Sequence, residues 1–165
     1  MVTDTQLEHA GAQFLVLGEL LVRGVETHKT YLNTTGYDLV ASNGEDHRSC
    51  RMQVKCQTFA DADRSIPLEN PHCDFIVVVR LNIGRGKRTK GIDTAREFFI
   101  IPTAVAYAAM SDHQTTARFL FDDIDNCKQY QDAWHLISEF LWIDMTRPET
   151  QAALPWKALG FGTSP

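Results

Sequence analysis

No stretch of this chain approaches the ~18–20 consecutive apolar residues that a membrane-spanning helix needs. The opening residues, MVTDTQLEHA, have no basic segment followed by an apolar one, so no signal peptide is expected and the cytoplasm is the expected compartment. None of the four cysteines, Cys50, Cys56, Cys73 and Cys127, forms a Cys-x-x-Cys pair. His47 and His72 lie near three of them, but the spacing is not that of a zinc site, so reduced and mostly buried thiols are expected. Internal repeats and low-complexity tracts are absent as well. There is no excess of positive charge: 16 Lys and Arg against 21 Asp and Glu give a net charge of -5. Taken alone, that argues against a nucleic-acid partner, which would have to be held by a local cluster of cations.

What is present is enough for one core. The 165 residues are 44% hydrophobic, with 10 Gly and 6 Pro. One domain over residues 1–143 is expected, followed by an irregular tail, 144–165, that loses periodicity and carries Pro148, Pro155 and Pro165. Thr5-Gln6-Leu7-Glu8 has the pattern of a capping box. Leu7, Ala10, Phe14, Leu17 and Leu21 follow at helical spacing and Gly24 suits the residue past the end, so a helix over 6–23 is predicted. Strands are predicted in VETHKTYL, YDLVAS, RMQVKCQT, CDFIVVVRLN, REFFIIP and ARFLFDDI from their β-branched and aromatic content. Residues 61–72 read as a loop, 103–110 as a short helix, and KQYQDAWHLISEFL as a closing helix burying Tyr130, Trp134 and Ile137. The pattern is an α/β or α+β arrangement around one sheet.

The stretch GYDLVASNGEDHRSCRMQVKCQT, residues 36–58, reads as a hairpin turning at Asn43-Gly44. Arg51, Gln53, Lys55 and Gln57 share one face of its second strand, and Met52, Val54 and Cys56 the other. Such a polar row is what a half-buried strand shows to water. Asp38, however, is the lone charge on the first strand, between Tyr37 and Leu39. A loop over 43–48 sets Ser42 opposite Ser49 and therefore Asp38 opposite Gln53; a two-residue Asn-Gly loop slides them four residues apart. Both registers remain open at this level. Glu19 is the only charge in FLVLGELLV. It is either an exposed helix residue or a carboxylate covered on both sides and in need of a partner.

Glu19, GYD with Asp38, and QVK with Gln53 and Lys55, in that order, resemble the PD-(D/E)xK nuclease superfamily, which includes restriction endonucleases and Holliday-junction resolvases. The resemblance spans roughly residues 6–101, and FFIIP and the helix around Ala133-Trp134 are also like its small prokaryotic members. It implies a restriction-endonuclease-like α-β-β-β-α-β core, a central mixed sheet flanked by helices, and Mg²⁺-dependent hydrolysis of DNA, with Mn²⁺ able to substitute. By the resemblance, Asp38 is the main metal ligand. Gln53 stands at the acidic position and binds metal through its amide oxygen, Lys55 orients the attacking water, and Glu19 holds metal-bound water or a second ion. The Val54 carbonyl often completes such a site. The sequence departs from the pattern in having Tyr37 rather than proline before Asp38, and Gln53 in place of an acid.

That chemistry asks for these residue types. Mg²⁺ takes oxygen ligands and keeps several waters, so two or three protein oxygens suffice. A lysine beside it places a point charge at the phosphate oxygens. For the DNA backbone, Arg85, Lys87, Arg88 and Lys90 in NIGRGKRTKG form a Gly-rich basic tip suited to phosphates, which Arg23, Lys29, Arg48 and Arg51 could extend. The same tip would also serve as an ordinary solvated turn. A homodimer is compatible with this reading. The alternative is a non-catalytic nucleic-acid-binding or protein-interaction module that keeps the nuclease fold, with Gln53 the mark of a decayed site.

Overall fold

Helix α1, Asp4–Val22, opens the fold. The computed structural model describes residues 4–30, 36–58, 65–68, 72–83, 94–111 and 118–143. Thr5 lies inside α1 rather than capping it, and Glu8 accepts a hydrogen bond from Thr58 Oγ1 (2.9 Å). The helix ends as expected at Gly24, whose φ of 78° is a left-handed conformation that suits glycine. Gly24 N–H donates to the Leu21 carbonyl and Val25 N–H to that of Leu20, both at 2.9 Å, which is the Schellman pairing.

The buried side of α1 is not the expected stripe. Ala12, Gln13, Val16 and Leu20 face the core, whereas Leu7, Phe14 and Leu21 are exposed. Both stripes are apolar at helical spacing, so periodicity alone did not choose between them. Small Ala12 and branched Val16 let the helix axis approach the sheet, where bulkier residues would hold it off.

From α1 the chain enters β1, Glu26–Lys29, then β2, Leu39–Asn43, and β3, Arg48–Gln57. The short β4, Ile66–Pro67, precedes β5, Phe75–Arg80, and β6, Glu97–Pro102. Helix α2, Thr103–Ala108, is followed by β7, Met110–Ser111, and β8, Arg118–Phe119. Two 3-10 turns, Phe121–Asp123 and Cys127–Tyr130, lead to α3, His135–Phe140.

Among the described residues the main sheet has the order β1-β2-β3-β5-β6, and β4-β8-β7 form a small second sheet. The main sheet is mixed: β5 runs parallel to β3 and the other neighbours are antiparallel. This is the restriction-endonuclease-like mixed sheet flanked by helices. The element order differs in detail from α-β-β-β-α-β. Between parallel β3 and β5 the described residues contain β4 and no helix, and α2 follows β6.

One core cluster lies on each face of the sheet. Met52, Val54, Val77 and Ile100 pack with Val16 and Leu20 of α1 and with Trp134 and Ile137. Ile76, Val78, Phe99 and Ile101 pack with Phe119, Phe121 and Ala106 on the other face. The expected closing helix is broken because Gln131 bridges to Phe99 at the edge of β6, and Asp132, at φ 52°, donates its N–H to the Phe98 carbonyl (2.8 Å). Tyr130 therefore packs on the α2 side of the sheet, apart from Trp134 and Ile137.

Candidate active site

The β2–β3 hairpin positions the residues singled out by the sequence. Ser42 pairs with Ser49 and Asn43 with Arg48, so the longer loop is the one formed and the two-residue turn is not. Asn43 Oδ1 accepts the Glu45 N–H (3.1 Å) and His47 takes a left-handed φ of 52°, which closes the loop. The register runs to Leu39 opposite Met52, and Asp38, one residue earlier, bonds to that same Met52.

Asp38 is half-buried just before β2 begins. Its N–H donates to the Met52 carbonyl at 2.8 Å, and its carbonyl accepts from Thr30. The carboxylate is held on two sides. Oδ2 accepts the Val54 backbone N–H at 2.7 Å, and Oδ1 accepts from the Gln13 amide at 2.9 Å. Gln13 Nε2 is also 3.1 Å from His9 Nε2, so a Gln13 amide that donates to both leaves His9 with its proton on Nδ1. Each carboxylate oxygen keeps a further lone pair for another partner. Val54, whose carbonyl the family pattern favours, contributes its N–H to the Asp38 carboxylate.

Gln53 and Lys55 alternate on β3 with buried Met52 and Val54, on the sheet face of Ile76 and Val78, their register partners on β5. The polar row does not simply face water. Arg51 is exposed, Gln53 and Lys55 are half-buried, and Gln57 is buried with its Oε1 accepting from Arg80 Nε (3.2 Å). Gln53 Oε1 is buried and has no hydrogen-bond partner among the described residues. An acceptor left so costs about 1–3 kcal/mol.

Glu19 does not join this group. Its carboxylate pairs with Arg23 on the next turn of α1. It lies six residues past Gln13, about 9 Å further along the axis and about 120° around it, toward the end of α1 from which β1 returns. The helix residue at Asp38 is Gln13, which sequence reasoning missed because it assigned the buried face to the other stripe. Asp74 was missed as well. Its Oδ2 accepts the Arg51 backbone N–H at 2.7 Å and lies 3.6 Å from the Arg51 guanidinium.

Arg85, Lys87, Arg88 and Lys90 lie outside the described residues. The four cations expected to extend their patch each touch their own chain. Arg23 lies over Trp134, Lys29 over Phe14, Arg48 over Trp142 and Arg51 over Tyr37. The cysteines are free thiols. Burial raises the Cys50, Cys73 and Cys127 thiols, and burial followed by the nearby Glu8 charge raises Cys56 to about 11. Among the described residues no group of three His, Cys, Asp or Glu side chains is placed to hold a metal ion. None of the described helices is long and apolar enough to cross a membrane.

No protein-family model matches the chain, and no curated protein is similar to it in sequence. Solved structures are similar in fold. A bacterial homing endonuclease, I-Ssp6803I, superposes with a TM-score of 0.52 at 17% identity, covering 84% of this chain and 94% of its own. Hjc, a Holliday junction resolvase from the archaeal hyperthermophile Archaeoglobus fulgidus, is more distant, with a TM-score of 0.42 at 12% identity over 67% of this chain and 89% of its own. The likeness to the homing endonuclease shows a shared fold, with a mixed five-stranded sheet flanked by helices.

Proposed function

We propose that the chain is a metal-dependent nuclease that hydrolyses phosphodiester bonds in DNA, with Asp38 and Gln53 holding Mg²⁺ (or Mn²⁺) and Lys55 beside it. The observation that carries this reading is Gln53 Oε1, a buried acceptor with no partner among the described residues, one residue before the Val54 whose N–H the Asp38 carboxylate accepts. A water-facing strand has no use for it. A hard cation does, because Mg²⁺ takes oxygen ligands and two protein oxygens with several waters satisfy it. The donor set fits on that count: a carboxylate with free lone pairs and an amide oxygen. Its single negative charge fits weak binding, strengthened when a substrate phosphate adds oxygens.

A bound divalent cation would lower the pKa of a water and screen the charge that builds on the phosphorus oxygens. The chain supplies the rest. Gln13 and the Val54 N–H fix the Asp38 carboxylate in one orientation, so less freedom is lost on binding. Lys55 brings a positive charge to the non-bridging oxygens and to the attacking water. Glu19, paired with Arg23, is left outside this proposed set. Arg85, Lys87, Arg88 and Lys90 serve the phosphate backbone without reading sequence.

A plasmid-nicking and oligonucleotide-cleavage panel with Mg²⁺, Mn²⁺ and EDTA tests the proposal. Expected are metal-dependent cleavage by the parent, none by Asp38→Asn, and turnover lowered by about 10²-fold or more in Lys55→Ala, the scale of removing one stabilising charge. A parent that cleaves no DNA under any of these conditions leaves the non-catalytic binding module as the reading.

A further inference from the structure

Strand β5 is apolar from Phe75 to Val79 and ends in a charge, Arg80. Its side chain is on the sheet face of Gln53 and Lys55, because Ile76, Val78 and Arg80 are the register partners of Gln53, Lys55 and Gln57. The guanidinium lies over the Phe121 ring at 4.1 Å and the Phe99 ring at 4.9 Å, and the side chain is 14% exposed. Burying a cation is costly unless it is closely paired and hydrogen-bonded. Arg80 has one hydrogen bond, from Nε to Gln57 Oε1 at 3.2 Å. Glu97 Oε2 stands 3.9 Å from Nη1, too far for a second. That oxygen accepts instead from Asn82 Nδ2 at 3.1 Å, and Asn82 is buried and also bound to the Ala95 carbonyl. Neither Nη nitrogen has a hydrogen bond among the described residues, and neither is sealed from solvent. An apolar side chain would fill the space over the two rings without the charge, as Ile76 and Val78 do earlier on the strand. Folding has no use for the fork.

We propose that Arg80 binds a phosphate of the substrate backbone that flanks the one being cleaved. The proposal rests on the nuclease reading of Asp38, Gln53 and Lys55, and adds a second phosphate contact to it. Arg80 is one strand over from Lys55 and two residues on, so their Cβ atoms are about 8 Å apart. Duplex DNA rises about 3.4 Å per nucleotide of a strand. A cation at that offset therefore meets a phosphate within two nucleotides of the one that Lys55 serves. The two Nη groups offer parallel N–H donors to two phosphate oxygens, the geometry in which arginine surpasses lysine. Gln57 on Nε and the rings of Phe99 and Phe121 hold the guanidinium in one plane before substrate arrives, so little freedom is lost on binding. Glu97 partly offsets the charge in the free protein without occupying the donors. The contact differs in kind from that proposed for Arg85, Lys87, Arg88 and Lys90. It belongs to a strand, so its effect falls on one linkage at a fixed distance from the cut.

Two measurements on the full chain test this, with Arg80→Met as the variant, because methionine keeps a stem over the two rings and removes the charge. The first is cleavage of duplexes that each carry one methylphosphonate, which neutralises a single phosphate. Cuts by the parent should be suppressed about tenfold or more at one offset within two nucleotides of the neutral linkage, the scale of one hydrogen bond to a charged group. In Arg80→Met the suppression at that offset should vanish. The second is duplex binding in EDTA, where Arg80→Met should lower the slope of log affinity against log salt by about 0.9. Arg80→Lys should restore the slope but only part of the suppression, since an ammonium has no fork. It also takes the variant's place if Arg80→Met does not fold, and suppression equal to the parent's then overturns the proposal. A parent that cleaves, with Arg80→Met keeping its suppression pattern and its slope, overturns the phosphate contact alone. A parent that binds DNA without cleaving it ends the nuclease reading and leaves the slope to decide on Arg80, an unchanged slope overturning the contact. A parent that binds no DNA overturns both.

Discussion

Asp38 accepts one hydrogen bond on each carboxylate oxygen, so its replacements separate structure from chemistry. Asp38→Ala leaves the Val54 N–H and the Gln13 amide without their acceptor and should cost about 1–3 kcal/mol in denaturant unfolding. Asp38→Asn keeps one acceptor, and Gln13 can turn its amide to face the new one. Its cost should stay under about 1 kcal/mol, while any cleavage is lost with the negative charge. The thiols give a second expectation at this scale. Burial first, then Glu8, raises Cys56 to about 11, and burial raises Cys50 further. The unfolded chain releases these protons near pH 8.5, and the folded one holds them. The resulting stability is therefore complete below that pH and is lost as pH rises toward 11. Chemical unfolding should show a lower midpoint at pH 10.5 than at pH 8, and Cys56→Ala should lessen the difference. An equal loss in that variant would assign the effect to other groups. At this scale the sequence was informative about identity but not about contact. Asp38, Gln53 and Lys55 stand out by their place on an alternating hairpin, whereas the Gln13 hydrogen bond depends on which side of α1 packs.

Helix α1 shows why the side of an element is harder to read than its existence. Its extent and its end at Gly24 were legible from spacing and from one residue suited to positive φ. Its two apolar stripes were equivalent in sequence, and the choice fell to packing volume, with Ala12 and Val16 against the sheet. Glu19 was singled out by the family resemblance, and its carboxylate is in an ion pair with Arg23. The hairpin register likewise needed the loop geometry, with His47 rather than Gly44 taking the left-handed turn position. The break before α3 had no local signal. It comes from the bridge between Gln131 and Phe99, a contact between distant parts of the chain. The expectation at this scale contrasts neighbours on the two stripes. Leu20→Ala, fully buried, should cost about 2–5 kcal/mol. Leu21→Ala, about half exposed, should cost under about 0.5 kcal/mol. Equal costs would contradict the packing of α1.

At the scale of the molecule, a net charge of -5 has to coexist with the proposed DNA binding. The proposal places that binding on Arg85, Lys87, Arg88 and Lys90, and salt dependence is its signature. Each phosphate contact adds about 0.9 to the slope of log affinity against log salt on duplex DNA. Replacing the four by alanine should flatten the slope, and an unchanged slope would return the segment to a solvated turn. The mixed sheet and its helical layers were legible from strand content and the motif order. The crossover between β3 and β5 was not, because prolines and polar residues in 61–72 hid the short β4. The central claim is that Asp38 and Gln53 together form a divalent-cation site, and calorimetric titration with Mn²⁺ tests it most directly. Weak binding is predicted in the parent, lost in Asp38→Asn and tightened in Gln53→Glu, which adds a charged ligand where the amide oxygen now stands. Binding by Asp38→Asn equal to the parent's would contradict the ligand assignment, and so would a Gln53→Glu that leaves the affinity unchanged.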